Sequence, residues 1–118
     1  MKNADSNKLH QAMLAYKTVE LFQDTHIAGS ELELIYLPRK NNNRQACAIY
    51  CLENKKCVAA NYHKGSPEEG QCWLFHQVDK NSRFFFGEGC CELIIPAKNK
   101  LLISLVKNNL KNSDKNQA

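Results

Sequence analysis

Hydrophobic and polar residues along the middle of the chain alternate with two different periods. In residues 31–37 every second position is apolar, which is typical of a half-buried β-strand with Leu32, Leu34 and Tyr36 on one face. In residues 44–53 the apolar positions recur about one helical turn apart. This second period predicts a short amphipathic helix after the strand.

The predicted helix has a start signal, because Asn42 or Asn43 can accept a hydrogen bond from its first backbone N–H groups. After the helix, short apolar runs are separated by loops that are rich in glycine and polar residues. These runs predict four further strands, at residues 57–63, 71–78, 84–86 and 91–95. With the strand at 31–37, the pattern indicates an α+β fold of about five strands and one central helix.

Both ends of the chain show helical spacing of their apolar residues. Residues 1–22 predict an N-terminal helix or a linker from a larger precursor, and residues 23–29 predict a connecting turn. Residues 98–118 predict a basic amphipathic helix followed by a disordered tail. We therefore expect one compact domain over residues 23–97, with these extra terminal segments on either side.

The chain has a net charge of +4, and the whole excess lies in the C-terminal segment. Before residue 98 the basic and acidic residues cancel, so the predicted domain lacks the basic face that binds nucleic acid. No apolar run approaches the roughly 18 residues that cross a bilayer, so we expect no transmembrane segment. The first residues also lack the apolar core of a signal peptide, so we expect that an exported protein has already lost it.

The spacing of the cysteines is the strongest chemical signal in the chain. Cys47 and Cys51 lie one helical turn apart on the same face of the predicted helix, so each can reach a different neighbour. Cys57 follows the helix, and Cys72 lies in an apolar predicted strand. An even number of cysteines at this density favours disulfides and an oxidising compartment, although six cysteines allow roughly 15 sets of pairs.

Three segments together resemble the PAN/apple family of extracellular modules. They are the turn-glycine-strand segment 24–32, the motif Ala46-Cys47-x3-Cys51-x5-Cys57-x4-Tyr62, and the strand Gln71-Cys72-Trp73-Leu74-Phe75. The resemblance extends to Cys90 and covers about 70 of the 118 residues. It implies a five-stranded antiparallel sheet that cradles one helix, with the disulfides Cys47–Cys72 and Cys51–Cys57.

The same resemblance implies a non-catalytic module that binds a protein or a carbohydrate and is secreted, periplasmic or displayed on the cell surface.

The last two cysteines depart from the family pattern. Apple-type modules join their two ends through an N-terminal cysteine, and this chain has none before Cys47. Cys90 and Cys91 therefore lack the expected partner, and they can form a vicinal disulfide, stay free thiols or pair with another chain.

Two groups of residues are candidates for contact with a ligand. Trp73 and Phe75 alternate with Cys72, so they are predicted on the sheet face away from the helix, unless a terminal helix covers that face. Basic residues flank the helix at both ends and suit an acidic sugar or an acidic protein face. They are Arg39, Lys40, Arg44, Lys55 and Lys56.

A zinc-stabilised intracellular adaptor is an alternative interpretation of the same residues. Side chains of the types that ligate zinc are present in Cys51, Cys57, His63, Cys72 and His76. Structural zinc sites favour Cys-x2-Cys turns, and the chain has none. We therefore assign no metal and no other cofactor.

A second alternative is an assembly domain of a larger envelope protein, joined to its neighbours through Cys90 or Cys91 and the terminal helices. The sequence leaves the oligomeric state open.

The sequence contains no Cys-x-x-Cys redox motif, no phosphate-binding glycine loop and no paired acidic motif at helical spacing. We therefore expect that the protein is not an enzyme.

Overall fold

The computed structural model describes residues 18–78 and 82–117 of the chain. Within these residues the chain forms seven β-strands and two α-helices. In chain order they are β1 (Val19–Gln23), β2 (Thr25–Ala28), β3 (Ser30–Pro38), α1 (Arg44–Glu53), β4 (Ala59–Ser66), β5 (Glu69–Gln77), β6 (Arg83–Phe86), β7 (Glu92–Pro96) and α2 (Lys100–Gln117). A 3-10 turn, Arg39–Asn41, follows β3.

Five of the strands form one antiparallel sheet in the order β1–β7–β4–β5–β3. The other two, β2 and β6, pair with each other as a separate antiparallel ribbon. The predicted α+β fold, an antiparallel sheet that holds one short helix, is therefore confirmed. The predicted bounds of that helix, residues 44–53, are those of α1.

One face of the sheet holds α1. The helix buries Cys47, Ala48 and Cys51 in a cluster with Leu74 of β5 and Ile94 of β7. These side chains recur at helical spacing on α1, while Leu74 and Ile94 stand on the same side of their strands. The apolar stripe of the helix and one face of the sheet therefore form a single core.

The start of α1 is fixed by two asparagines with different roles. Asn43 is the N-cap, because its Oδ1 accepts a hydrogen bond from the N–H of Ala46 at 2.8 Å. Asn42 instead donates from its Nδ2 to the carbonyls of Lys64 and Ser66, each at 2.9 Å. The first asparagine thus ties the helix start to β4, and the second begins the helix.

The opposite face of the sheet is covered by α2 and the ribbon. Leu102 and Val106 of α2 are buried in a second cluster with Phe75 of β5, Leu93 of β7 and Ile27 of β2. Both faces of the five-stranded sheet therefore carry a packed layer.

The N-terminal part of the structure differs from the prediction. Residues 19–22, predicted as the end of a helix, lie in β1, and residues 25–28, predicted as a turn, form β2. Pairing with β7 and with β6 buries Val19 and Ile27, and this tertiary burial outweighs the local helical spacing. The rest of the predicted helix, residues 1–17, lies outside the described residues.

Two other predictions need correction. The helix α2 continues to Gln117, through the segment that was expected to be a disordered tail. In β3, irregular pairing with β5 on either side of Glu31 changes which residues face the core. As a result Leu37 is buried, whereas Tyr36 is 55% exposed although its spacing predicts an inward position.

The ribbon is fastened to the sheet by the side chain of Asn61 on β4. Its Oδ1 accepts from the N–H of Ile27 at 2.9 Å, and its Nδ2 donates to the carbonyls of Thr25 at 2.8 Å and Glu92 at 3.2 Å. Asn61 is completely buried, and its amide satisfies three backbone groups. One side chain therefore joins β4 to both β2 and β7.

We predict that Asn61→Asp lowers the free energy of unfolding by about 2–4 kcal/mol. A carboxylate can still accept from Ile27, but it cannot donate to the two carbonyls, and burying its charge is unfavourable. Urea denaturation of the parent and the variant measures the difference. The exposed Asn41→Asp is the matched control, and its effect should stay within about 0.5 kcal/mol. A loss at Asn61 no larger than the control's would contradict this role.

Candidate functional site

Two disulfides join α1 to its surroundings. Cys47 of the helix is bonded to Cys72 of β5, and Cys51 is bonded to Cys57 in the loop that follows the helix. All four cysteines are buried. These are the pairs that the family resemblance implies, and they hold the helix on the sheet.

Cys90 and Cys91 are bonded to each other directly before β7. Of the three alternatives that the sequence leaves open, the structure has the vicinal disulfide. Cys91 is buried and Cys90 is exposed. Because the two sulfurs are joined to each other, neither is available to link the chain to a neighbour, as the assembly-domain alternative requires.

The zinc ligands considered in the sequence do not form a site. Cys51, Cys57 and Cys72 are bonded in disulfides, so their sulfurs are not thiolates that can bind a metal. His76 is exposed near the end of β5. His63 is half-buried and lies beside another histidine.

The aromatic sheet face predicted as a ligand surface is covered. Phe75 is 1% exposed beneath α2 and the ribbon, so the prediction that it contacts a ligand is wrong. Trp73 is half-buried at the margin of the same cluster, and its Nε1 donates to Oε1 of Gln71 at 3.0 Å. The cover is the C-terminal helix, whose position on the sheet the strand pattern could not indicate.

The basic residues that flank α1 do not form one patch. Arg39 and Lys40 are exposed in the turn before the helix, and Lys55 and Lys56 are exposed beyond its other end. A helix of this length separates the two pairs by roughly 15 Å. Arg44 is bound in an ion pair, with its Nη1 at 2.8 Å from Oε2 of Glu92. Binding of an acidic ligand by the other four stays a prediction of the sequence.

A shallow cleft of about 220 Å³ lies beside the vicinal disulfide, at the end of the sheet. It is lined by Gln23, Asp24, Tyr62, Lys64, Gly89, Cys90, Cys91 and Glu92. Asp24 shapes one wall, because its Oδ1 accepts from the N–H of Gly89 at 2.7 Å and its own N–H donates to the carbonyl of Cys91 at 2.8 Å. Asp24 and Gly89 both have positive φ, which permits the close turn.

A pair of histidines lies on the ribbon side of the same disulfide. Nδ1 of His26 on β2 is 3.2 Å from Nε2 of His63 on β4, and the two rings meet edge to face. The ring of Phe85 on β6 lies 6.1 Å from that of His26. His26 carries no functional signal in the sequence. The two histidines are 37 residues apart, so no local spacing connects them.

The environment of the pair disfavours protonation. Burial lowers the pKa of His26, and the nearby carboxylate of Glu31 opposes this effect. Burial also lowers the pKa of His63, the charge of His26 lowers it further, and a hydrogen bond to the backbone of Cys90 opposes both. Across the sheet, burial and the negative charge of Glu92 raise the pKa of Tyr62. The histidine pair is therefore held in its neutral form near neutral pH.

These features define a small disulfide-stapled module in which α1 is clamped to an antiparallel sheet. Residues 25–75 match the family model of the PAN domain, which confirms the resemblance in the sequence. The match runs from β2 to β5 across α1 and both of its disulfides. Neither the curated proteins nor the solved structures give a significant match to this chain.

The family match and the disulfides fit an extracellular binding module, and PAN domains are generally non-catalytic. Among the described residues, no helix is both long enough and apolar enough to cross a membrane. The match ends before β6, so the vicinal disulfide, β7 and α2 lie outside it. Both histidines of the pair therefore lie within the matched segment, whereas the cleft also uses residues that precede and follow it.

We predict that the metal-free protein becomes less stable as the pH falls below the ordinary histidine pKa of 6.5. Because the pKa of both histidines is lowered by folding, the unfolded chain binds more protons than the folded protein in this range, and unfolding is favoured. Urea denaturation from about pH 7.5 to about pH 5, with a chelator present, measures this dependence.

The variant His63→Gln removes one of the two titrating groups, so its stability should depend less steeply on pH. His76→Gln, at an exposed position, is the control and should keep the slope of the parent protein. An equal slope in all three proteins would show that the histidine pair does not cause the effect.

Proposed function

We propose that this chain is a non-catalytic binding module that acts outside the cytoplasm, in a secreted, periplasmic or cell-surface protein. We further propose that it recognises a protein ligand through an aromatic patch formed by Phe85 and Phe86 on β6. The observation that carries the proposal is the exposure of these two neighbouring phenylalanines, at 50% and 38%.

The exposure of Phe85 and Phe86 contrasts with the burial of the aromatic residues near them in the sheet and the ribbon. Phe84, the residue before it, packs into the core cluster below α2, and Phe75 is completely covered. Two exposed aromatic side chains at the end of β6 leave apolar surface in water, of the kind that partner sites use. Aromatic residues are also enriched among those that dominate the binding energy of protein interfaces.

The surroundings of the patch support a protein partner. Arg83 and Glu88 are exposed on either side, so a charged rim surrounds an apolar centre, as in many protein interfaces. The loop from Gly87 to Cys90 connects the patch with the cleft. The cleft volume of about 220 Å³ is below that of pockets that enclose small molecules, and it suits a single inserted side chain.

A carbohydrate is the second candidate ligand, and the lining of the cleft favours it. The side chains of Gln23 and Lys64 bring hydrogen-bonding groups of both kinds to a small concave space. Such a set can bind the hydroxyl groups of one sugar unit. In this case the cleft, and not the aromatic patch, supplies the main contacts.

We predict that the double variant Phe85→Ser/Phe86→Ser loses binding to a protein ligand by about 30-fold or more, the effect of removing an interface hot spot. A panel of purified extracellular protein domains, screened by surface plasmon resonance against the full chain, supplies the ligand. Tyr36→Ser is the matched control, because Tyr36 is an equally exposed aromatic residue on β3. Binding by the double variant as tight as that of the parent and the control would contradict the proposed patch.

A glycan array distinguishes the second candidate. Binding of a glycan that Lys64→Ala abolishes and Phe85→Ser/Phe86→Ser retains would place recognition in the cleft and overturn the choice of a protein ligand. Circular dichroism of each variant shows whether the fold is kept.

A further inference from the structure

Three side chains capable of binding a metal converge where the ribbon meets the sheet. His26 on β2, His63 on β4 and Cys91 before β7 each offer one donor atom, and these atoms lie within 4.8 Å of one another. The two strands that carry the histidines are joined by the buried amide of Asn61, so the imidazoles are held by rigid elements.

The spacing of the imidazoles suits a tetrahedral ion. With Zn–N bonds of about 2.0–2.1 Å, two nitrogens bound to the same zinc are about 3.3 Å apart. Nδ1 of His26 and Nε2 of His63 are already 3.2 Å apart. His63 also forms a hydrogen bond with the backbone of Cys90. Histidines that bind metals usually have such a backbone partner, because it fixes the tautomer and the ring orientation.

In the oxidised protein the third donor is blocked. The sulfur of Cys91 is bonded to that of Cys90, and only a thiolate is a strong zinc ligand. Access differs sharply among the three disulfides. Cys90 is exposed, whereas both cysteines of each of the other two disulfides are buried. A soluble dithiol therefore reaches the vicinal disulfide first.

We propose that reduction of the Cys90–Cys91 disulfide opens a zinc site formed by His26, His63 and the thiolate of Cys91, with a fourth position for water. A dithiol reductant breaks the sulfur–sulfur bond by giving two electrons and two protons, and it becomes a disulfide itself. Zinc binding then releases the thiol proton of Cys91. One thiolate with two imidazoles is a donor set that zinc accepts readily.

Of the zinc ligands that the sequence suggests, this site shares only His63. It uses none of Cys51, Cys57 and Cys72. It takes no ligand atom from Phe85 or Phe86, although the ring of Phe85 lies 6.1 Å from that of His26. The oxidation state of the vicinal disulfide then controls whether the site binds a metal.

The test uses Co²⁺ as a spectroscopic probe of the full chain, because a cobalt–thiolate bond gives a charge-transfer absorption. Cys90→Ser and Cys91→Ser remove the same disulfide, so any loss of stability is shared and only the remaining thiol differs. We expect Cys90→Ser to bind one equivalent of Co²⁺ without reductant and to show this absorption, and Zn²⁺ to displace the cobalt. We expect Cys91→Ser to show no such absorption. The parent protein should show it only after mild treatment with a dithiol.

Substitution of a residue that supports a metal ligand weakens metal binding by roughly 10- to 100-fold. Because His26 and His63 are proposed as ligands themselves, His26→Gln and His63→Gln in the Cys90→Ser background should each weaken Co²⁺ binding by more than this. His76→Gln in the same background should leave it unchanged. Absence of the absorption in Cys90→Ser, or an equal absorption in Cys91→Ser, would overturn the proposal.

Discussion

The disulfide between Cys47 and Cys72 is the constraint on which the rest of the structure depends. It links the middle of α1 to β5, a strand that lies between β4 and β3 inside the sheet. In the chain-entropy model, closing the 25-residue separation stabilises the fold by about 3.5 kcal/mol, and the shorter Cys51–Cys57 separation of 6 residues adds about 2 kcal/mol. These contributions are comparable with the whole net stability of a small domain.

Fixing α1 on one face of the sheet has consequences for the other face. With α2 and the ribbon packed there, the sheet is covered on both sides, and its large aromatic residues contribute to the core. The partner surface that we propose lies instead at the end of the sheet, where β6, the loop before β7 and the vicinal disulfide meet. The same arrangement brings His26 next to His63, because the ribbon must dock through Asn61.

The parts of the fold that could be predicted from the sequence are those with local signals. The helix α1 has apolar residues one turn apart and an N-cap, and β5 has clean alternation, so both were predictable from short windows. The disulfide pairs required the family resemblance, because the spacing alone leaves several sets of pairs open. Strands β1 and β2 were missed because only their pairing with β7 and β6 distinguishes them from a helix end and a turn.

The candidate site was much less predictable, for the same reason. The exposure of Phe75 depends on where α2 docks, and the partners of His26 and His63 lie on distant strands. The exposure of Phe85 and Phe86 also reflects a ribbon that leaves the main sheet.

Peptide mapping without reduction tests the central disulfide framework most directly. Trypsin leaves Cys47 and Cys51 in one peptide, so chymotrypsin is added to cut after Tyr50 and separate them. Mass spectrometry of the oxidised protein should then find the peptide of Cys47 joined to that of Cys72, and the peptide of Cys51 joined to that of Cys57. Four free thiols, or a link between Cys47 and Cys57, would contradict the clamp of α1 on the sheet.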